Sequence, residues 1–126
     1  MNEPRREIDI QVDNEFLVVE SEPDSGRFVF AYTITLTNTG EVSARLFTRH
    51  WVITNADGLV QEVHGEGVVG EQPYLAPGGR FRYTSRTVLA TPVGTMQGSY
   101  QWVSDDGVAF DAPIPLFRLA VPGLLH

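Results

Sequence analysis

The chain has 126 residues, 42% hydrophobic and 20% charged, with seven Phe, four Tyr and two Trp, which describes one folding unit with an ordinary core and excludes a disordered tail. Cysteine is absent, so disulfides, thiolate metal sites and a cysteine nucleophile are excluded and a reducing compartment, the cytoplasm, is expected. A net charge of −7 repels phosphate backbones, and no nucleic acid is expected as a partner.

At the start, Arg5 and Arg6 are followed by charged residues where a secretory signal needs an apolar run of ~7 to 15 residues, so no targeting signal is read. Ile8, Ile10 and Val12 alternate with Asp9, Gln11 and Asp13 as in a half-buried strand, and Phe16 to Glu20 predicts a second short strand before the breakers of EPDSG. The clearest signal is RFVFAYTITLTN at 27–38, with Phe28, Phe30, Tyr32, Ile34 and Leu36 on one face and Thr33, Thr35 and Thr37 on the other. SARLFTRHWVIT and LVQEVH flank NADG at 55–58, whose residue types tolerate the positive φ of a tight reversal and predict a hairpin. After APGG at 76–79, RFRYTSRTVL at 80–89 is another strand, with Arg80, Arg82 and Arg86 at period two on a solvated face. GSYQWVS and VAFDAPI flank Asp105, Asp106 and Gly107 as a second hairpin, and prolines with Arg118 break PIPLFRLAVPGLL well below the ~18 apolar residues a membrane span needs. No window carries a helical apolar stripe beyond two turns. About seven short antiparallel strands predict an all-β chain, an immunoglobulin-like or fibronectin-like β-sandwich, with a closed barrel as the alternative.

Gly65, Gly67 and Gly70 fall at the spacing G-x-G-x-x-G used to wrap a dinucleotide pyrophosphate. That site needs a helix launched from the glycines, whereas Pro73, Pro77, Gly78 and Gly79 follow, and Glu66 and Glu71 would face the phosphates. A tight loop with Val68 and Val69 turned inward fits the residues better. Metal chemistry has His50 and His64 as candidates on the two strands of one hairpin. With the turn centred between Ala56 and Asp57, His50 opposes Val63 and His64 opposes Arg49, which makes the histidines diagonal neighbours and leaves open whether they share a face. They are read as structural or surface residues, with no metal site expected, and His126 as a chain end. An EF-hand reading of NADG fails because Ile53 and His64 would occupy its first and twelfth positions. No serine-triad element is present, Asp105 and Asp106 read as turn residues, and no catalysis and no cofactor are expected. Trp51 and Trp102, embedded in strand patterns, are expected in the core.

HWVITNADG, VQEVHGEGVVGEQP, LAPGG, TPVGTMQGSYQ and FDAPIPLFRL, together with FVFAYTITLTN, resemble the ApaG family from about Ile8 to Leu119. The resemblance implies a fibronectin type III-like sandwich and no established reaction. It implies an association with cobalt tolerance and magnesium efflux in bacteria, and a protein-binding role for similar domains appended to F-box proteins and to a DNA polymerase-interacting protein. It also points to the glycine stretch as a suggested pyrophosphate site. The expectation is therefore a single cytoplasmic domain over 1–126 that binds an unidentified protein partner, without contact to nucleic acid or membrane. Its candidate loop is 64–79, with Gly65, Gly67, Gly70, Gln72, Pro73 and Tyr74 as the contact residues, and the TPVGTMQG segment at 91–98 is a second presented loop. The alternative is a pyrophosphate, nucleotide or divalent-cation binder using the Gly65–Gly70 stretch or the histidines. Sequence leaves the oligomeric state open.

Overall fold

The computed structural model describes residues 3–123, and among them strands account for nearly all regular structure, joined by one 3-10 turn at Pro23–Ser25. The strands are β1 (Ile8–Phe16), β2 (Phe28–Asn38), β3 (Ala44–Asn55), β4 (Val60–Glu66), β5 (Tyr74–Leu75), β6 (Arg80–Leu89), β7 (Val93–Ser104) and β8 (Ala109–Ala120). One sheet runs β1-β2-β6 and the other β4-β3-β7-β8, with β5 joined to β3, and every pairing is antiparallel. The chain is a β-sandwich, as the alternation predicts.

Both sheets turn their apolar alternation into one core. Phe30, Ile34 and Leu36 from β2 meet Leu46 and Trp51 from β3, Tyr100 and Trp102 from β7 and Leu119 from β8, all 3% exposed or less. Burying side chains of this size contributes roughly 1.5–3 kcal/mol each, which makes the shared core the main driving force. The tryptophans are core residues as expected, Trp51 edge-on to Tyr32 at 5.3 Å and Trp102 stacked with Phe110 at 6.5 Å. Tyr100, edge-on to Trp51, belongs to a buried pair of phenols, the Tyr83 and Tyr100 hydroxyls 2.5 Å apart. Burial pushes both hydroxyls well above the ordinary tyrosine range.

Four local expectations need correction. The second short strand expected over Phe16 to Glu20 does not form: Phe16 ends β1 and the chain turns at 18–20, leaving Val18 and Val19 exposed, because the Ser21 hydroxyl donates to Leu17 O and accepts from Val29 N, folding the segment over Val29. The stretch 91–98 is mostly strand, since β7 begins at Val93. β8 continues through Pro113 and Pro115, which is tolerated because it is the outer strand of its sheet and has a register shift at that point. In the β3–β4 hairpin, Asn55 N bonds Leu59 O, Gly58 N bonds Asn55 O, and Gly58 adopts φ +82°, giving a turn one residue longer than the symmetric one. The register therefore moves by one, and His50 lies directly opposite His64 on the same face.

Candidate functional site

β3 shares one edge between two partners. Its first residues, Ala44 and Arg45, pair with Leu75 and Tyr74 of β5, while Thr48 to Thr54 pair with β4. The change occurs at Phe47, where the β3–β7 register also shifts. Phe47 O accepts from Gly67 N at 2.7 Å and from the Gln72 side-chain amide at 3.1 Å, and Leu46 N donates to Pro73 O at 3.0 Å. Residues 67–73 are thus an excursion from the β3 edge, clamped at both ends by one bulged strand.

At its tip the excursion closes on itself. Val68 N donates to Glu71 O at 2.8 Å and Glu71 N to Val68 O at 2.9 Å, with Val69 at φ +44° and Gly70 at φ +81°. Two consecutive left-handed residues inside a mutually bonded pair define a type I′ turn. Val68 is 1% exposed and anchors the turn in the core, as the inward reading of this residue expects, whereas Val69 points out at 56% exposure. The three glycines have separate causes. A Cβ on Gly65 would strike the Arg49 guanidinium at 2.6 Å, a Cβ on Gly67 would meet Glu71 O at 2.2 Å, and Gly70 needs only its positive φ. Arg49 lies flat on Gly65 and donates to Glu66 O and Gly67 O, both at 2.9 Å. The amides of Gly67, Val68 and Glu71 are engaged by backbone carbonyls, and among the described residues no helix follows the glycines, so the parts of a phosphate cradle are not assembled.

The far arm of the excursion presents Gln72 and Tyr74, whereas Pro73, expected as a contact residue, is buried because its carbonyl is drawn onto Leu46 N at the β3 edge. Tyr74 is 48% exposed yet held on three sides: its backbone sits in β5, its hydroxyl donates to Asp105 Oδ2 at 2.7 Å, and the Arg45 guanidinium lies 5.1 Å from the ring centre. Beside it opens a shallow groove of about 510 Å³ between Pro73, Tyr74, Arg80 and Phe81. Behind β5, Asn38 is 1% exposed and its side chain bonds Val42 O, Leu75 O and Gly40 N, each at 2.9 Å, while its backbone holds Gly78 and Gly79. Asn38, Arg45, Phe47, Arg49 and Asp105 support the loop without any sequence motif that announces it. Each acts through a cross-strand contact that has no local signature.

The acidic turn residues have structural roles. Asp106 accepts from the Ser104 hydroxyl and from Arg6, which together hold its carboxyl below the usual carboxylate range. Asn55 Oδ1 caps the amides of Asp57 and Leu59 at 2.9 and 3.0 Å, so NADG is a side-chain-bonded turn. Arg80, Arg82 and Arg86 all face solvent, and Arg86 pairs with Glu20 at 3.0 Å. His126 lies outside the described residues.

The family model described as the ApaG domain matches residues 18–104. Among curated relatives, Protein ApaG of Pseudomonas paraeruginosa is 59% identical over 126 residues, the full length of both chains. Protein ApaG of Aromatoleum aromaticum is 61% identical over 119 residues, 94% of each. A crystal structure of a Bordetella pertussis protein designated ApaA superposes with a TM-score of 0.92 at 45% identity, covering 94% of this chain and 97% of that one. A second X-ray structure, of a structural-genomics target, gives a TM-score of 0.89 at 50% identity over 94% and 90% of the two chains.

Proposed function

The chain belongs to the ApaG domain family, and from that premise we propose that it is a non-enzymatic cytoplasmic module that binds a protein partner through residues 65–74. The observation that supports this reading most is Tyr74, half-exposed but fixed by a strand, a carboxylate and a guanidinium. A large aromatic immobilised before binding loses little entropy on contact, and such residues dominate interface energetics. Val69 adds to it. An outward valine in the left-handed region costs about 1–2 kcal/mol, a local strain that fold stability alone does not favour. The link to cobalt tolerance and magnesium efflux that the family resemblance implies then runs through the bound partner. Pyrophosphate binding at Gly65, Gly67 and Gly70 is the weaker reading, because among the described residues no helix is launched from the glycines and the amides of Gly67, Val68 and Glu71 are engaged by backbone carbonyls.

The test is quantitative co-purification from native cells with wild type and Tyr74→Ala as baits, both checked for folding by near-ultraviolet circular dichroism. A hot-spot aromatic contributes about 2 kcal/mol, so partner affinity is expected to fall roughly thirtyfold. Equal recovery of the same proteins by both baits rejects the loop as the interface.

A further inference from the structure

The one-residue shift of the β3–β4 register brings together three side chains that the proposed interface does not use. His50 on β3 and His64 on β4 are directly opposed, their imidazoles stacked with centroids 4.2 Å apart and planes 7° apart. Glu62 is two residues along β4 on the same face, with Oε1 3.8 Å from His50 Nε2. One donor atom from each of the three lies within 4.8 Å of the others. His50 Nε2 is buried from solvent and has no hydrogen-bond partner, an arrangement that costs roughly 1–3 kcal/mol when nothing satisfies the nitrogen.

We infer that His50, His64 and Glu62 form a binding site for one divalent transition-metal ion. The donor set selects the class. Two neutral imidazole nitrogens and one carboxylate suit Zn²⁺ and its neighbours in the first transition row, whereas Mg²⁺ and Ca²⁺ demand oxygen ligands. The geometry is close to what the ion requires: tetrahedral ligands at about 2.0–2.1 Å stand roughly 3.3 Å apart, and side-chain rotation closes the remaining gap. Such rotation is available because Glu62 and His64 are exposed. His50 supplies the fixed end. Its strand is paired on both sides, and β7 packs so closely that a Cβ on Gly98 would stand 2.0 Å from His50 O. Water from the open face completes the fourth position.

The experiment titrates the full-length, chelator-treated protein with Zn²⁺ by calorimetry and follows the histidine ring resonances by nuclear magnetic resonance, with Mg²⁺ as a parallel titrant. One Zn²⁺ per chain is expected, with the His50 and His64 signals moving together and no heat from millimolar Mg²⁺. His64→Ala removes an exposed ligand and should weaken Zn²⁺ by at least about tenfold, the loss that even a change outside the ligand shell can bring. Glu62→Gln, which keeps the side chain's shape, should weaken it as well, and His126→Ala should leave it unchanged. No heat with Zn²⁺, undiminished binding by His64→Ala, or loss of binding in His126→Ala overturns the inference. None of these outcomes bears on Tyr74 as an interface residue.

Discussion

Replacing Val69 with Asn should make the protein more stable. Val69 holds φ +44° at the first central position of a type I′ turn, with Gly70 at φ +81° after it. A β-branched residue there costs about 1–2 kcal/mol relative to an ordinary backbone well, whereas Asn before Gly is the pair this turn favours. The loss on the other side is small. Val69 is already 56% exposed, so less than half of the ~1.5 kcal/mol for burying a valine is forfeited. The net is a gain of about 0.5–1 kcal/mol, a rise of roughly 2–5 °C in Tm for a domain of this size. Urea unfolding followed by fluorescence of buried Trp51 and Trp102 measures it directly. Gly70→Ala provides the opposite sign, since a Cβ there meets nothing within 4 Å and only the backbone is strained. A Val69→Asn protein that is unchanged or less stable refutes the turn assignment. If Val69 contacts the partner, the same variant should bind less well while melting higher, which separates the interface role from folding.

The phenol pair gives a coupled result. Tyr100→Phe deprives the Tyr83 hydroxyl of its partner and should cost about 1–2 kcal/mol, while Tyr83→Phe with Tyr100→Phe should be nearly neutral, and strictly additive single effects would show the bond to be weak. The pair also sets an alkaline limit. The unfolded chain loses its phenolic protons near the ordinary value of 10.0 while the folded chain retains them, so stability is intact below pH 10 and falls as pH rises beyond it. The slope is up to about 1.4 kcal/mol per pH unit for each tyrosine, and because burial raises the Tyr32 hydroxyl as well, the double phenylalanine variant should reduce it to the part that Tyr32 sustains. Asn38→Ala leaves Val42 O, Leu75 O and Gly40 N without a side-chain partner in a buried position and should cost on the order of 2–4 kcal/mol, with hydrogen exchange rising first around β5.

Where period-two alternation was long and uninterrupted, the strands were legible: β2, β3 and β6 fall within a residue or two of 27–38, 43–54 and 80–89. Glycines misled at the start of β7. Gly94 and Gly98 look like turn residues but serve close packing, since a Cβ on Gly94 would press on Thr54 O and Leu89, both at 2.7 Å. The two residues of β5, set between Pro73 and Pro77, carry no period to read, and their pairing depends on Asn38 and β3 far away in sequence. The glycine stretch is legible as a turning loop with an inward Val68, whereas the type I′ turn that points Val69 outward is not, because a β-branched residue carries no signal for φ +44°. The histidine pair was hidden by a single residue: the left-handed Gly58 lengthens the hairpin turn, and a one-residue change of register redirects every side chain on β4.

The divided edge of β3 makes the segment between β4 and β5 editable. Because both ends are fastened to the same strand, material added between Val69 and Gly70 extends outward without altering either pairing register, much as a circular permutation site or a displayed peptide would. A reporter or a new recognition sequence can therefore be grafted there at little cost to folding while the sandwich beneath it stays constant.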